Sequence, residues 1–172
     1  ASTLEGCVRD LTPGEMLGQI FEVERDEPPK ETGRRTVTNL VLMGSGEPLD
    51  NYDNVVAFLK RVTDPDGLRI SPRNISVSTC GIVPKIDSFI ADAPHVTLSI
   101  SLHAHDDETR TSLMPFNKVY PIDSVIAAAK RYADKTGRRV VFEYALIDGV
   151  NASLADADAL SKKLRGILCH VN

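Results

Sequence analysis

Short apolar runs alternate along the chain with longer segments whose apolar residues recur at helical spacing. The short runs are rich in Val, Ile and Leu and are typical of buried strands, whereas recurrence every three or four positions is typical of amphipathic helices. Strands are therefore predicted at residues 38–43, 74–78, 96–101 and 139–146, and from residue 167 onward. Helices are predicted after residue 12, at 54–62, 84–90, 106–113 and 121–135, and after residue 153.

Two of the predicted helices begin with a capping box, in which a hydroxyl residue and the carboxylate three positions later satisfy each other's backbone N–H groups. Thr12 and Glu15 form one such pair, with Pro13 at the first helical position, where a backbone N–H is not needed. Ser153 and Asp156 form the other pair. Residues 24–36 are charged and contain two adjacent prolines, which predicts a loop.

The strict alternation of strands and helices predicts an α/β fold with a parallel sheet and right-handed crossovers. Two layouts are open at this point, a doubly wound sheet and a barrel or partial barrel. A dinucleotide-binding doubly wound sheet usually has a glycine-rich turn after its first strand and an acidic residue after its second, and the sequence lacks that pattern. Several strands instead end in polar residues, as in a barrel that builds its site from the loops after its strands.

Polar residues follow four consecutive predicted strands, and in a parallel sheet such strand ends meet at one edge, where small molecules bind. The first polar end is Gly44-Ser45-Gly46-Glu47, directly after a strand predicted to be buried. Its glycines permit a sharp turn, and its carboxylate must be paired or hydrated. Hydroxyls, a carboxylate and an imidazole suit a ligand with an amino acid head and a ribose. The remaining ends are Ser78-Thr79-Cys80-Gly81, Ser101-Leu102-His103 and Asp148-Gly149-Val150-Asn151.

Each of these polar residues also has a purely structural interpretation. For Glu47 the alternative is to cap the helix that begins near Asn51, and the adjoining glycines make that alternative less favourable. For Ser78 and Ser101 the alternative is to satisfy backbone groups of a turn. For His103 it is a hydrogen-bonded core histidine, the commoner fate of a single histidine. The prediction of a site therefore depends on the agreement of the four strand ends.

Composition and charge narrow the class of protein. The chain has 172 residues, of which 42% are apolar and 26% charged, as in an ordinary globular domain. Its formal net charge of -4 and its pI of about 5.6 argue against a domain that grips nucleic acid through bulk positive charge. The sequence contains no apolar run of membrane-spanning length and no signal-peptide pattern, so no membrane partner is expected.

The three cysteines, Cys7, Cys80 and Cys169, are scattered along the chain. They have neither metal-ligand spacing nor the pairing of a disulfide framework, which predicts a reducing, cytoplasmic environment. Cys80 and Cys169 are interpreted as buried thiols rather than nucleophiles, and residues 148–151 as a turn.

Five groups of residues form a combination much more specific than one glycine-rich turn: 42–55, 76–85, 99–104, 113–118 with 120–121, and 142–144 with 148–151. They resemble the RlmN family of radical S-adenosylmethionine (SAM) methyltransferases, which methylate C2 of adenine in 23S rRNA, at the peptidyl transferase centre, and in tRNA. The resemblance implies a partial (β/α) TIM-like barrel of the radical SAM type, incomplete at both ends. It also implies SAM and a 4Fe–4S cluster as cofactors, a reducing electron donor, and a monomer.

The resemblance carries a set of SAM contacts onto this chain. Gly46 and Glu47 correspond to residues at the amino group of the SAM methionine, and Ser78 and the run Ser101-Leu102-His103 to further SAM contacts. They belong to the strand ends selected above on chemical grounds. No catalytic residue and no metal ligand is assigned within the chain, because the family holds its cluster in a C-x-x-x-C-x-x-C loop that the sequence does not contain.

The family pattern also predicts which part of the domain the chain contains. Residues 1–172 correspond to the radical SAM core. The first strand, the cluster loop, an N-terminal accessory domain and a C-terminal extension with a methyl-carrying cysteine are expected outside it, with the cluster cysteines just before Ala1. The chain alone is therefore predicted to be inactive and to bind SAM weakly.

Two rival functions are open. One is that of a sister radical SAM enzyme that methylates C8 of adenine in 23S rRNA; it tends to carry alanine at the position of Pro48, so Pro48 favours C2. The other is that of a non-catalytic barrel acting as a binding module. The chain departs from the commonest family pattern at Ser45, His105-Asp106 and Ala152, and none of these residues is an assigned SAM contact.

Overall fold

Five strands form one parallel sheet in the computed structural model, which describes residues 8–29 and 35–172. The order of the strands across the sheet is their order along the chain. A doubly wound sheet reverses its strand order at a switch point, whereas the wall of a barrel adds each strand beside the previous one. The observed order therefore confirms the predicted α/β partial barrel. The strands are β1 (Leu40–Leu42), β2 (Ile75–Thr79), β3 (Thr97–Ser101), β4 (Val140–Glu143) and β5 (Cys169–Val171).

Helices connect the strands, and both predicted capping boxes are present. The backbone N–H of Glu15 donates to Thr12 Oγ1 (3.3 Å), and that of Asp156 donates to Ser153 Oγ (3.2 Å), each with the reciprocal bond to the carboxylate. The helices are α1 (Pro13–Asp26), α2 (Tyr52–Thr63), α3 (Val83–Asp92), α4 (Asp107–Leu113), α5 (Ile122–Thr136) and α6 (Leu154–Lys163).

The loop predicted at residues 24–36 begins later than expected, because α1 continues to Asp26. Arg25 pairs with Glu22 one turn earlier and extends the helix. Residues 30–34 of this predicted loop lie outside the described residues.

One face of the sheet is buried beneath the helices. Over this face α3 packs against α5, and the ring of Phe89 stacks on that of Tyr132 with centroids 6.2 Å apart. Alternate positions of β2 and β3 carry hydroxyls instead, and the Oγ atoms of Ser76 and Ser99 are 3.0 Å apart. The fully buried residues of the helix-covered face include Val77, Leu98, Ile100, Val140 and Phe142.

The first strand is shorter and more exposed than predicted. The buried strand expected at residues 38–43 is a three-residue strand at the edge of the sheet, with Val41 62% and Met43 59% exposed. Within the described residues β1 pairs with β2 alone, so its other side lacks a neighbouring strand. The prediction of a buried strand was therefore wrong, and the glycine turn follows an edge strand.

β4 ends at Glu143, three residues before the predicted end at residue 146. The backbone of Ala145 explains the difference: its N–H donates to Nδ1 of His103 (3.0 Å) and its carbonyl accepts from Nδ2 of Asn151 (2.8 Å). Because side chains occupy both groups, the backbone does not continue the strand pairing. The polar residues at the end of β4 are therefore Glu143 and Tyr144, while residues 148–151 form the predicted turn.

Gly81, which follows β2, is expected to tolerate a side chain poorly. Its φ of +107° is rarely adopted by other residues, and an added Cβ would lie 2.9 Å from both Cγ atoms of Val125 on α5. We expect Gly81→Ala to lower the free energy of unfolding by about 3–5 kcal/mol, because backbone strain and overpacking combine. Urea unfolding followed by circular dichroism measures this loss.

Gly137→Ala is the matched control. Gly137 also has a positive φ (+65°), but its added Cβ would enter open space after α5. Gly137→Ala should lower the free energy of unfolding by only about 1–2 kcal/mol, because it adds backbone strain without overpacking. Equal losses in the two variants would contradict a steric role for Val125.

Candidate functional site

An open cavity of about 440 Å³ lies at the carboxyl-terminal edge of the sheet, a volume within the usual range for small-molecule sites. Residues at or just after the ends of all five strands contribute to its wall. Three of the four polar strand ends that were predicted to meet at this edge line the cavity, whereas residues 148–151 do not. The lining residues are Met43, Gly44, Gly46, Glu47, Pro48, Ser78, Thr79, Cys80, Ser101, His103, Glu143, Tyr144, Ala145 and Asn172.

The cavity brings together five of the six predicted SAM contacts: Gly46, Glu47, Ser78, Ser101 and His103. Leu102 is the exception, because its side chain is fully buried in the core. Its backbone N–H donates to the carbonyl of Glu143 (3.0 Å), and its own carbonyl accepts from a neighbouring arginine. Leu102 thus supports the wall from behind, and its role in binding SAM stays a prediction.

The carboxylate of Glu47 joins the end of β1 to the end of β2. Its Oε2 accepts the backbone N–H of Cys80 (2.7 Å) and its Oε1 accepts that of Leu49 (3.0 Å). The turn before it has φ of +125° at Gly44 and +98° at Gly46, which explains the glycines. Helix α2 has Asn51 at its N-cap position, so the Glu47 side chain does not cap that helix. A carboxylate oxygen can accept more than one hydrogen bond, so Glu47 can also accept one from a ligand.

The hydroxyls of Ser78 and Ser101 lie on neighbouring strands and face the cavity region. Ser78 is buried and Ser101 is half-buried. In the part of the chain that the structure describes, neither hydroxyl makes a hydrogen bond to another residue. The two hydroxyls therefore do not satisfy the backbone of a turn, as the structural interpretation required. Both are available to a ligand.

His103 has a fixed orientation and stays neutral near pH 7. Nδ1 of its imidazole accepts the backbone N–H of Ala145 (3.0 Å), so the proton of the neutral ring is on Nε2. Burial, assisted by the positive charge of Arg110, lowers the pKa of His103 below its usual value of 6.5. The residue lines the cavity, which distinguishes it from the core histidine of the alternative interpretation.

A fully buried arginine, which the sequence did not single out, lies behind the cavity. Nη2 of Arg110 on α4 donates to the carbonyls of Cys80 (2.7 Å) and Ser101 (3.0 Å), and Nε donates to that of Leu102 (3.2 Å). These carbonyls belong to the ends of β2 and β3. Burial lowers the pKa of Arg110 from its usual value, although the side chain remains a cation near pH 7. Nothing in the local sequence distinguishes it from a surface arginine.

Asn117 and Asp107 hold this arginine in place. Nη1 of Arg110 donates to Oδ1 of Asn117 (2.7 Å), whose Nδ2 donates to Oδ1 of Asp107 (2.8 Å). The same carboxylate oxygen accepts the backbone N–H of Ile122 (2.8 Å) at the start of α5. That bond is the largest cause of the lowered pKa of Asp107. The network therefore connects the strand ends to two helices.

His105, one of the departures from the family pattern, connects the loop after β3 to the start of α6. Its Nε2 lies 3.1 Å from Oδ2 of Asp106, and its Nδ1 lies 3.4 Å from Oδ1 of Asp156. Within the described residues Nδ1 of His105 is buried and makes no hydrogen bond, so its contact with Asp156 is one of proximity alone.

The two thiols in the described residues, Cys80 and Cys169, are half-buried, whereas the sequence predicted buried thiols. Burial, followed by the charge of Glu47, raises the pKa of Cys80, and burial raises that of Cys169. Both therefore stay protonated near pH 7. Cys7 lies outside the described residues.

Residues 8–29 and 35–172 contain no group of three or more His, Cys, Asp or Glu side chains arranged to hold a metal ion. These residues therefore do not fit an iron–sulfur cluster. Among the helices of the same ranges, none is both long and apolar enough to cross a membrane.

Comparison with known proteins identifies the family. The Radical SAM superfamily matches residues 16–159. Proteins named "Probable dual-specificity RNA methyltransferase RlmN" from Thermoanaerobacter pseudethanolicus and Clostridium acetobutylicum are each 51% identical to the chain over 172 residues. The match covers 100% of the chain and 48% of each relative, so the chain spans about half the length of these relatives.

Solved structures agree with the fold. A radical SAM methyltransferase from Sphaerobacter thermophilus superposes with a TM-score of 0.90 at 47% identity, over 98% of this chain and 49% of that one. A domain of pyruvate-formate lyase-activating enzyme from Bacteroides vulgatus has a TM-score of 0.61 at 20% identity, over 79% of this chain and 77% of that one, and shares the fold. Since the superfamily match covers most of the chain and the fold agrees with it, the chain belongs to the radical SAM superfamily.

Proposed function

We propose that the protein is a SAM-dependent radical methyltransferase that methylates C2 of adenine in 23S rRNA and in tRNA. One observation carries the proposal: the cavity gathers Gly46, Glu47, Ser78, Ser101 and His103 from separate strand ends. The names of the curated relatives supply the class of substrate. We further propose that the enzyme is a cytoplasmic monomer that receives electrons from a reducing donor.

The lining residues suit SAM by their chemistry. Glu47 offers a carboxylate to the amino group of the SAM methionine, and its oxygens can accept that bond in addition to the two from the backbone. The hydroxyls of Ser78 and Ser101 suit the ribose or the carboxylate of SAM. His103 adds a donor on Nε2. Bound there, SAM supplies the methyl group and the radical chemistry, while the chain binds it, orients it and excludes water.

Membership in the superfamily implies a 4Fe–4S cluster beside SAM. The described residues do not supply its ligands.

The charge of Glu47 is expected to contribute to SAM binding. Glu47→Gln replaces an acceptor oxygen by an amide NH₂ that faces a backbone N–H, and it removes the charge that pairs with the amino group of SAM. We expect SAM affinity to fall about 10–100-fold, the usual effect of losing one charged hydrogen bond. Isothermal titration calorimetry under anaerobic conditions, on the complete product of the reading frame, measures the affinity.

Asp50→Asn is the matched control. It removes the same charge three positions away, on an exposed residue that does not line the cavity. Its SAM affinity should stay within about twofold of the unsubstituted protein, since an exposed charge contributes little. If both variants lost affinity equally, Glu47 would have no specific role at the amino group.

A further prediction concerns the product. Deletion of the gene should remove 2-methyladenosine from hydrolysates of rRNA and tRNA, as measured by nucleoside mass spectrometry, and the intact gene should restore it. Loss of 8-methyladenosine instead would favour the sister C8 activity. If methylated adenosines did not change, the protein would be a non-catalytic binding module.

A further inference from the structure

The backbone of His103 has a conformation that needs external support. Its φ is +58°, and among the described residues only Arg69 is another non-glycine residue with positive φ. Such a conformation costs about 1–3 kcal/mol and persists only when surrounding contacts hold it. His103 lines the cavity and belongs to the proposed SAM contacts, so whatever holds it determines the position of its imidazole.

The contacts come from β4 and the segment after it. The backbone N–H of His103 donates to the carbonyl of Glu143 (3.2 Å), and Nδ1 accepts the N–H of Ala145 (3.0 Å). The carbonyl of His103 accepts from Nδ2 of Asn151 (2.7 Å). Main chain and side chain of the histidine are thus attached to the next strand end.

The side-chain amide of Asn151 bonds to both segments, the one at His103 and the one at Ala145. Its Nδ2 donates to the carbonyl of His103 and also to that of Ala145 (2.8 Å), the residue whose N–H binds the imidazole. Its Oδ1 accepts the N–H of Ile147 (2.7 Å), and its own carbonyl accepts the hydroxyl of Tyr144 (3.0 Å). The residue is 99% buried, so water does not compete for these bonds.

We propose that Asn151 is a positioning residue that fixes the imidazole of His103 in the cavity, with Nδ1 as acceptor and Nε2–H left as the donor to the ligand. The identity of that ligand, SAM, depends on the proposed function. The positioning itself depends only on the hydrogen bonds between Asn151, Ala145 and His103.

The electrostatic surroundings agree with a neutral imidazole. Burial is the main cause of the lowered pKa of His103, the cation Arg110 adds to it, and the carboxylate of Glu143 opposes it. Asn151 contributes no charge, and it keeps the Ala145 N–H directed at Nδ1. A proton on Nδ1 would face that N–H, so the held geometry favours the Nε2–H tautomer.

The test follows the imidazole nitrogens of His103 by ¹⁵N NMR during a pH titration of the chain. The unsubstituted chain should show the Nε2–H tautomer and a pKa below 6.5. In Asn151→Asp a carboxylate replaces the amide that faces two carbonyls, and it adds a negative charge near the ring. We expect the pKa of His103 to rise and the two tautomers to mix. Asn151→Ala should also mix the tautomers, without the added charge.

Tyr132→Phe is the control for a general loss of stability. It removes a buried hydroxyl that donates to the carbonyls of Ala93 and Val96, before the opposite end of β3. It should lower stability while leaving the His103 signals unchanged. If the Asn151 variants also left these signals unchanged, the proposal would be overturned. If neither variant folds, Tyr144→Phe loosens Asn151 more gently, and an unchanged tautomer there would equally overturn it.

SAM binding provides the second measurement, on the complete product of the reading frame. Asn151→Ala should weaken SAM binding about tenfold, the size of one ordinary hydrogen bond. In the His103→Ala background the same substitution should cause little further loss, because Asn151 acts through His103. Additive losses would contradict the proposal. If the unsubstituted protein did not bind SAM, the proposed function would fail. The NMR titration would still test whether Asn151 positions the imidazole of His103.

Discussion

The carboxyl-terminal edge of the sheet depends on the hydrogen bonds that the guanidinium of Arg110 donates. Where parallel strands end, their last carbonyls have no neighbouring strand to bond with. Here the carbonyls of Cys80, Ser101 and Leu102 all accept hydrogen bonds from Arg110. A neutral side chain offers too few donors for that task, whereas a guanidinium offers five in a fixed plane. The buried charge is tolerated because the guanidinium nitrogens are hydrogen-bonded: Nε and Nη2 donate to the three carbonyls, and Nη1 donates to Oδ1 of Asn117.

From that contact a continuous chain of hydrogen bonds forms the wall of the cavity. The backbone of Cys80 is its junction, since its carbonyl accepts from Arg110 while its N–H donates to Glu47 after β1. On the other side, Asn151 attaches the end of β3, at His103, to the segment after β4. Polar groups from four strands are therefore held in register before any ligand binds, which is the preorganisation that a binding site requires.

The sequence predicted those parts of the fold and the site that depend on local chemistry. The capping boxes at Thr12 and Ser153 and the alternation of strands and helices were confirmed, because each leaves a pattern within a few neighbouring positions. Five of the six predicted SAM contacts line one cavity, and their role in binding SAM stays a prediction. The motifs that resemble the RlmN family are local in the same sense. The predictions were wrong where residues distant in the sequence determine the structure. β1 is an edge strand, and β4 ends where the side chains of His103 and Asn151 form hydrogen bonds with the backbone of Ala145.

The sequence by itself determined the fold class, the membership in a superfamily and the chemical types of residue at the strand ends. Only the tertiary structure decided the sequential order of the strands, the position of Leu102 behind the wall, and the roles of Arg110 and Asn151. The physical reason is that Arg110 and Asn151 bond to backbone groups as far as 30 and 48 positions away. Local periodicity records which face of an element is apolar, but it does not record which distant carbonyl a buried donor will reach.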